Sequence, residues 1–516
     1  MSIETELKLQ IAPEDVNKLV QQPLLQSATL SQAPQRLYNT YFDTPEHNLF
    51  QQGVGLRVRR IGDKRVQTLK TAGHGLGGLH QRHEWEMEVT DDLPDYSKFP
   101  KAALPHWCTK KKNLEKIKPL FITDFMRTTW NLALDDGSQI EVALDQGEVK
   151  TSGASVPLSE VELELKSGSP DKLYQVALTL QESLPLRIEN KSKAALGYAL
   201  HQPQPLIHKK AGGVGLTPEM TAEQAFIHII SHGLGHLQAN EDVVLFGEDI
   251  EGVHQMRVAL RRWRSGLTLY QTLIPKKTYM ELYQQLKWLT QLLGVARDWD
   301  VFALSLQQMQ SLGGNSLLAP SHQEKIRQLQ KTVIDYQTGA YITVREALRS
   351  SRYNRMLLLL GEWLIKRRWR DHLDSNRLQQ LDAPAKVFAT RILDEHYQSL
   401  CKQAKKLTQI KAEQRHKLRI SLKKMAYGAR FFADLYPHQA TKLYINKLSG
   451  LQDKLGILND AQVAINLLEQ IQLKEHATVQ HFLNGWYVHQ QVTHLADLEA
   501  VWRAFLEQEI FWRTDQ

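Results

Sequence analysis

The stretch Glu4-Thr5-Glu6-Leu7-Lys8 decides the fold of the first part of this chain. Side chains alternate across a β-strand, so Glu4, Glu6 and Lys8 share one face while Ile3, Thr5, Leu7 and Leu9 share the other. Three more segments repeat the pattern: Arg57-Val58-Arg59, Glu84-Trp85-Glu86-Met87-Glu88 and Glu162-Leu163-Glu164-Leu165-Lys166. One strand of this kind points its charges at water. Four of them, mixing carboxylates and cations, predict a sheet wrapped around a charged interior, because the apolar faces must be covered somewhere. Metal ions and a polyanion require such an interior.

Other strand-like runs are Arg36–Phe42, Arg65–Lys70, Phe125–Leu134, Gln139–Gln146 and Glu148–Thr151, with a hairpin turn signal at Asp135-Asp136-Gly137-Ser138. Pro13–Val20 and Pro170–Ser183 read as helices, and the Pro/Gly-rich stretch Gln202–Pro218 as a linker. Beyond Glu219 the periodicity is helical nearly throughout. That half contains a repeat. His254-Gln-Met-Arg257-Val-Ala-Leu-Arg261-Arg262 recurs as His416-Lys-Leu-Arg419-Ile-Ser-Leu-Lys423-Lys424, and Leu293-Gly294 to Asp298 recurs as Leu455-Gly456 to Asp460. Both pairs are offset by 162 residues, which predicts a duplicated block and a helical bundle with pseudo-twofold symmetry. The expected domains are 1–201, a linker over 202–218, and a helical domain over 219–505 with halves near 219–380 and 381–505.

At 516 residues the chain has length for two or three domains. Residues 1–200 hold 24 Lys and Arg against 26 Asp and Glu, while the remainder holds 40 against 30, so the net charge of +8 comes from the second half. Acidic groups for metals sit in the first half, and a basic surface for an anion in the second. Two cysteines, Cys108 and Cys401, exclude a disulfide framework and a cysteine metal site. The run around Met356–Ile365 is too short to span a bilayer, and Met1–Gln10 reads as a strand rather than a leader. A cytoplasmic location with no membrane partner is expected.

Magnesium and manganese need hard oxygen ligands. Glu4, Glu6, Glu162 and Glu164 can supply them if their strands are neighbours, and Asp145 lies in phase with Glu141 to join them. Lys8, Arg57, Arg59, Lys70 and Arg127 fall on strands and suit phosphate oxygens. Gly73-His-Gly75-Leu-Gly77-Gly78 satisfies a G-x-G-x-x-G pattern, but a strand follows it where a dinucleotide site needs a helix. A hairpin loop at the rim is expected there.

The Glu4–Lys8 opening, Tyr41-Phe42-Asp43-Thr44, Leu56–Arg59, Thr68-Leu69-Lys70, Arg82–Glu86 and Glu162/Glu164 together resemble the CYTH, or triphosphate tunnel metalloenzyme, family over about residues 1–200. The resemblance implies an antiparallel β-barrel whose lumen binds a triphosphate with Mg²⁺ or Mn²⁺, two ions per site. It implies Glu4, Glu6, Asp145, Glu162 and Glu164 as metal ligands. Lys8, Arg57, Arg59, Lys70, Arg127 and Lys193 would hold the phosphates, with Arg187 and Lys191 competing for the place of Lys193. Glu84 and Glu86 would orient the cations. Glu6, Lys8, Arg57 and Arg59 are then the catalytic residues, since positioning and charge neutralisation carry phosphoryl transfer.

In the second half His254, Arg257, Arg261 and Arg264 form one helical stripe beside Arg262, and His416, Arg419 and Lys423 repeat it. Lone basic stripes are usually solvated faces; two related by symmetry would flank a basic groove. His228, His232 and His236 lack an acidic partner in step and read as ordinary core or surface histidines. Residues 219–505 resemble a CHAD domain in the H-x-x-R-V-x-x-R-R and L-G-x-x-x-D motifs. That resemblance implies inorganic polyphosphate binding through these His, Arg and Lys residues. Lys423 and Lys424 stand where the first copy has Arg, and Ala426 where it has Arg264.

The expectation is an α+β chain, an antiparallel barrel followed by an all-α bundle, acting as a metal-dependent inorganic triphosphatase that releases diphosphate and phosphate. Alternatives are a thiamine or nucleoside triphosphatase, an adenylate cyclase acting on ATP, or a mainly polyphosphate-binding protein. No stacking platform or motif points to nucleic acid.

Overall fold

The computed structural model describes residues 2–313, 320–404, 412–471, 477–496 and 498–513. They form two compact units: residues 1–205 with 349–367, and residues 206–348 with 368–516. No helix among the described residues is long and apolar enough to cross a membrane.

The first unit is an antiparallel barrel. Its strands are β1 (Ser2–Gln10), β2 (Thr29–Asp43), β3 (Gly55–Ile61), β4 (Lys64–Lys70), β5 (His74–Leu76), β6 (Leu79–Val89), β7 (Lys118–Ala133), β8 (Gln139–Lys150), β9 (Ser155–Ser167) and β10 (Arg187–Ile188). The order β1-β9-β8-β7-β2-β3-β4-β6 closes through a β6–β1 pairing, giving eight strands without a free edge. β5 folds back on β6 through Gly77 and Gly78, both at positive φ, so the glycine-rich stretch is a hairpin. The stretch read as two strands, 139–146 and 148–151, is one strand, β8. Gly147 lies within it because a Cβ there would come 2.5 Å from the Phe125 Cα of β7.

Alternation divides the residues as their chemistry requires. Leu7, Leu9, Val161 and Leu163 point outward and are fully buried, and the helix Asp171–Gln181 packs on β1 and β9 with Leu173, Val176, Ala177 and Leu180 buried. Leu56, Val58 and Leu69 are covered by Phe99, Cys108 and Ile117. At one end the lumen is apolar. Leu37, Phe125 and Leu158 cluster there with Leu196, and Tyr41, Phe121 and Val149 cluster with Tyr198. The helix Lys193–His201 thereby closes that end. Buried Asp43 anchors it, accepting the Tyr198 hydroxyl at 2.9 Å and the backbone N–H groups of Thr44, Leu49 and Phe50.

The helix Ser351–Lys366 also belongs to this unit, although it lies within the stretch read as the helical domain. It packs on Asp171–Gln181, where Gly361 fits against the Tyr174 ring.

The second unit is helical. Glu251–Leu269 packs on Met280–Gly313 and on Ala412–Phe431, which in turn packs on His438–Gln470. Trp299, Phe302 and Leu306 share a core with Ala461, Ala464 and Leu468. Residues 206–218 carry no regular element but are tied down: Gly215 N–H donates to Asp434, Lys209 N–H to Asn240 and His208 N–H to Asp249, while Val214 and Leu216 are buried.

One consequence concerns Gly197, whose added Cβ would lie 2.0 Å from the Phe121 ring. Gly197→Ala overpacks the closed end and is expected to cost about 1–3 kcal/mol. Calorimetry checks this through the barrel transition; an unchanged midpoint would contradict the packing.

Candidate active site

Strand register builds the site. Antiparallel partners share a face, so each cross-strand pair places two side chains together. The pairs Glu4↔Arg82, Lys8↔Glu162, Lys70↔Glu84 and Arg127↔Asp145 set opposite charges side by side. Arg57↔Tyr41, Arg59↔Asn39 and Thr68↔Glu86 complete the wall. These side chains line or lie behind a cavity of about 460 Å³ inside the barrel.

Three groups occupy the lumen. In the first, Lys70 Nζ lies 2.8 Å from Glu4 and 3.0 Å from Glu84, and Arg82 bridges Glu4 and Glu6. Burial pushes the Glu4 carboxyl up, but Lys70 and Arg82 outweigh it and hold the group at about 2. In the second, Arg127 Nε donates to Asp145 at 2.6 Å and its Nη2 reaches Glu162. Lys193 Nζ sits 2.7 Å from Asp145 and 2.9 Å from Glu162 and contacts Glu160, while Lys8 meets Glu162 at 2.9 Å. Asp145, Glu160 and Glu162 place oxygens within 4.8 Å of one another. Burial raises Glu160, whereas burial of Asp145 and Glu162 is outweighed by Lys193 and its neighbouring cations, which lower both.

The third group is unbalanced. Arg57 approaches Glu86 at 3.8 Å; burial pushes its guanidinium down, but Tyr41, Glu84 and Glu86 outweigh it and hold the group above its ordinary value, although its Nε has no hydrogen-bond partner. Arg59 donates to Asn39 at 2.7 Å, and among the described residues no carboxylate lies within ion-pair distance of it. Burial, then Arg57 and Arg127, push its guanidinium down to about 9. An anion brought here meets, at Arg59, a cation that no carboxylate pairs with among the described residues.

Glu164 pairs with Lys166 at 2.8 Å near Glu141. Arg187 lies on β10 opposite Gln10 and away from the cavity lining, which includes Lys193, Asn190 and Ser192. The sequence reading left out Arg82, Glu160 and His80 as site residues. Each lies in phase with chosen residues, Glu160 two before Glu162 and Arg82 two before Glu84, so extending the alternation would have found them. His80 lines the cavity with its Nε2 buried and unpartnered.

A second basic cluster occupies the helical unit. Arg257 and Arg261 on Glu251–Leu269 act electrostatically on Arg419 and Lys423 of Ala412–Phe431, and Asp298 and Asp460 oppose them. Burial, then Arg419, Arg261 and Arg257, push the Lys423 ammonium down to about 7. His254 lies beside Arg297 and 3.7 Å from Glu251; burial and Arg297 hold its imidazole at about 4. Arg262 is buried elsewhere, over the Phe431 ring and 3.3 Å from His232. Arg264 stacks on Tyr283. The side chain of His416 lies outside the described residues.

Comparison with known proteins agrees with this geometry. Residues 2–198 match the CYTH domain family model and residues 228–469 the CHAD domain family model. An inorganic triphosphatase of Haemophilus influenzae is 35% identical over 206 residues, which cover 39% of this chain and 56% of that protein. The match thus spans little more than half of that relative's length. The crystal structure of the CHAD domain from the plant Ricinus communis superimposes with a TM-score of 0.50 and 29% identity, covering 60% of this chain and 98% of that one. The chain therefore consists of a CYTH domain followed by a CHAD domain.

Proposed function

We propose that this protein hydrolyses inorganic triphosphate to diphosphate and phosphate in the barrel lumen. The observation that carries the reading is the uncompensated cation Arg59, beside Arg57, set in a closed-ended cavity whose other walls alternate Lys and Arg with carboxylates. A compact polyanion satisfies both arginines, and Lys8, Lys70, Arg127 and Lys193 surround the same space. The triphosphatase name of the Haemophilus influenzae relative supports the same reading. Small size favours the inorganic substrate: triphosphate needs only charge complementarity, whereas a nucleotide needs an apolar base pocket as well.

The donor set fits a hard divalent cation. Asp145, Glu160 and Glu162 offer only carboxylate oxygens at mutual distances an ion can bridge, and Glu4, Glu6 and Glu164 offer a further set across β1 and β9. Magnesium or manganese bound there, two ions in our reading, would neutralise phosphate charge and lower the pKa of bound water. The chain's own residues do the positioning. Arg57, Arg59 and Arg127 clamp phosphate oxygens, preferably in bidentate fashion, and neutralise the charge that spreads over them in the loose transition state. Glu84 and Glu86 hold Lys70 and Arg57 in place. Glu6, buried behind Arg82, orients that arginine and the attacking water.

In the helical unit, the cluster of Arg257, Arg261, Arg419 and Lys423, with His254 beside it, is our candidate site for inorganic polyphosphate. Residues of the two sequence repeats supply it together, which is the grouping a pseudo-twofold arrangement would give.

Two measurements test these readings. Phosphate release with Mg²⁺ or Mn²⁺ should be fastest on triphosphate across a panel with ATP and thiamine triphosphate, and Glu6→Ala should lower it by roughly 10²-fold or more, the size expected when a positioned charge is lost. Equal rates for the variant, or faster turnover of ATP, would overturn the assignment. For the helical unit, long-chain polyphosphate should bind the full chain in a salt-dependent manner, and replacing Arg257, Arg261 and Arg419 by Gln should abolish that binding. Bound polyanion favours the Lys423 ammonium, so its pKa rises from about 7 on binding. Below that value both states are charged; above it binding takes up a proton, and affinity falls as pH rises from 7 to 9. Calorimetry in buffers of different ionisation heat reads this uptake, which Lys423→Arg should remove.

A further inference from the structure

The helix Ser351–Lys366 lies inside the segment matched to the CHAD domain, yet it is folded into the barrel unit. Its Asn354 is buried, 4% exposed. The Asn354 Oδ1 accepts the Ile188 N–H at 2.9 Å, and its Nδ2 donates to the Ser350 carbonyl at 3.0 Å. Ile188 is β10, and β10 pairs with β1 at Leu9 and Gln10, the residues that follow Lys8. The next residue, Glu189, donates its N–H to the Lys8 carbonyl at 3.0 Å, and its carboxylate accepts from Gln10 and from the Lys191 N–H. Ser192 then caps the helix that begins with Lys193. One strip of six residues, 188–193, thus runs from Asn354 to the cation that holds Asp145, Glu160 and Glu162.

The strip has little regular structure of its own. β10 contains two residues, too few to fix its place through ladder bonds. A two-residue edge strand needs another partner for its outward N–H, and a buried N–H left unsatisfied is costly. Asn354 supplies that partner. The helix around it is held against Asp171–Gln181 by three contacts: Gly361 meets the buried Tyr174 ring, Lys366 reaches Asp171 at 3.4 Å, and Gln175 Nε2 donates to Glu362 at 3.3 Å. Any Cβ at position 361 would lie 2.3 Å from that ring, so the seat is specific to glycine.

We infer that the helix Ser351–Lys366 is a working part of the triphosphate site, with Asn354 as a positioning residue that sets the 188–193 strip and, through it, Lys193 and Lys8. The inference deepens the triphosphatase reading and rests on it for its kinetic consequence. It also gives a physical reason for joining the two modules in one chain: the barrel borrows a helix that the second module's sequence encodes, so the barrel segment is not self-sufficient.

The test uses the full chain, with Asn354→Leu, Asn354→Asp, which keeps an acceptor oxygen, and the exposed control Arg355→Ala. Hydrogen exchange of residues 187–193 is read beside triphosphate kinetics. Asn354→Leu should accelerate exchange at Ile188 and its neighbours at least tenfold and lower kcat/KM by about tenfold, in the range a small displacement of a catalytic group produces. Asn354→Asp should recover much of both, and Arg355→Ala should change neither. Wild-type exchange and kinetics in Asn354→Leu would overturn the inference. So would faster exchange spread evenly over the whole barrel, since that reports general destabilisation. If the unaltered chain fails to hydrolyse triphosphate, the functional reading falls alone, and the exchange pattern still decides whether Asn354 positions the strip.

Discussion

The constraint on which the first unit depends is charge balance inside a closed barrel. Carboxylates and cations taken out of water are tolerated only when each is matched, since desolvation of an unpaired buried charge costs several kcal/mol. Closure of eight strands forces the inward faces together, and the register then dictates which charges meet. Glu4 meets Lys70 and Arg82; Asp145 and Glu162 meet Arg127 and Lys193. Where matching is complete the wall is rigid and pre-organised. Where it is incomplete, at Arg59, the protein keeps a cationic surface directed at the cavity. The same electrostatic rule that stabilises the fold therefore marks where, in our proposal, an anion belongs.

The apolar half of the lumen serves that arrangement. Leu37, Phe125 and Leu158, with the helix Lys193–His201 above them, exclude water from one end. The ring of Phe125 lies under both Lys193 and Arg127, at 5.1 and 5.8 Å from ring centre to cation, so both cations rest on an apolar wall. Low local dielectric strengthens every ion pair above it. Asp43, remote from the charges, matters because it fastens the stopper through Tyr198.

The helical unit follows the opposite strategy. Its basic cluster is under-compensated throughout: Arg257, Arg261, Arg419 and Lys423 crowd one another, with Asp298 and Asp460 as the opposing acids. Burial, reinforced by repulsion from Arg419, Arg261 and Arg257, lowers the Lys423 ammonium to about 7. The neighbouring Arg262 shows how position on a helix changes the role of a charge. It is adjacent in sequence to Arg261 but turned to the other side, where it lies over Phe431.

Much of this was legible in the sequence. Alternation of charge with period 2 determined the inward face of β1, β3, β6 and β9, and the repeated H-x-x-R motif determined the basic stripe, because both depend only on spacing along the chain. Three things were decided by the tertiary structure. Register and closure chose the partners, bringing Glu160, Arg82 and His80 into the lumen and leaving Arg187 outside it. Helix packing buried Arg262 and stacked Arg264 on Tyr283. Long-range contact placed Ser351–Lys366 against the barrel, more than 150 residues from the segment it supports. Local periodicity specifies which side of an element a residue occupies; what lies across from that side is fixed only when distant elements bury their surfaces together.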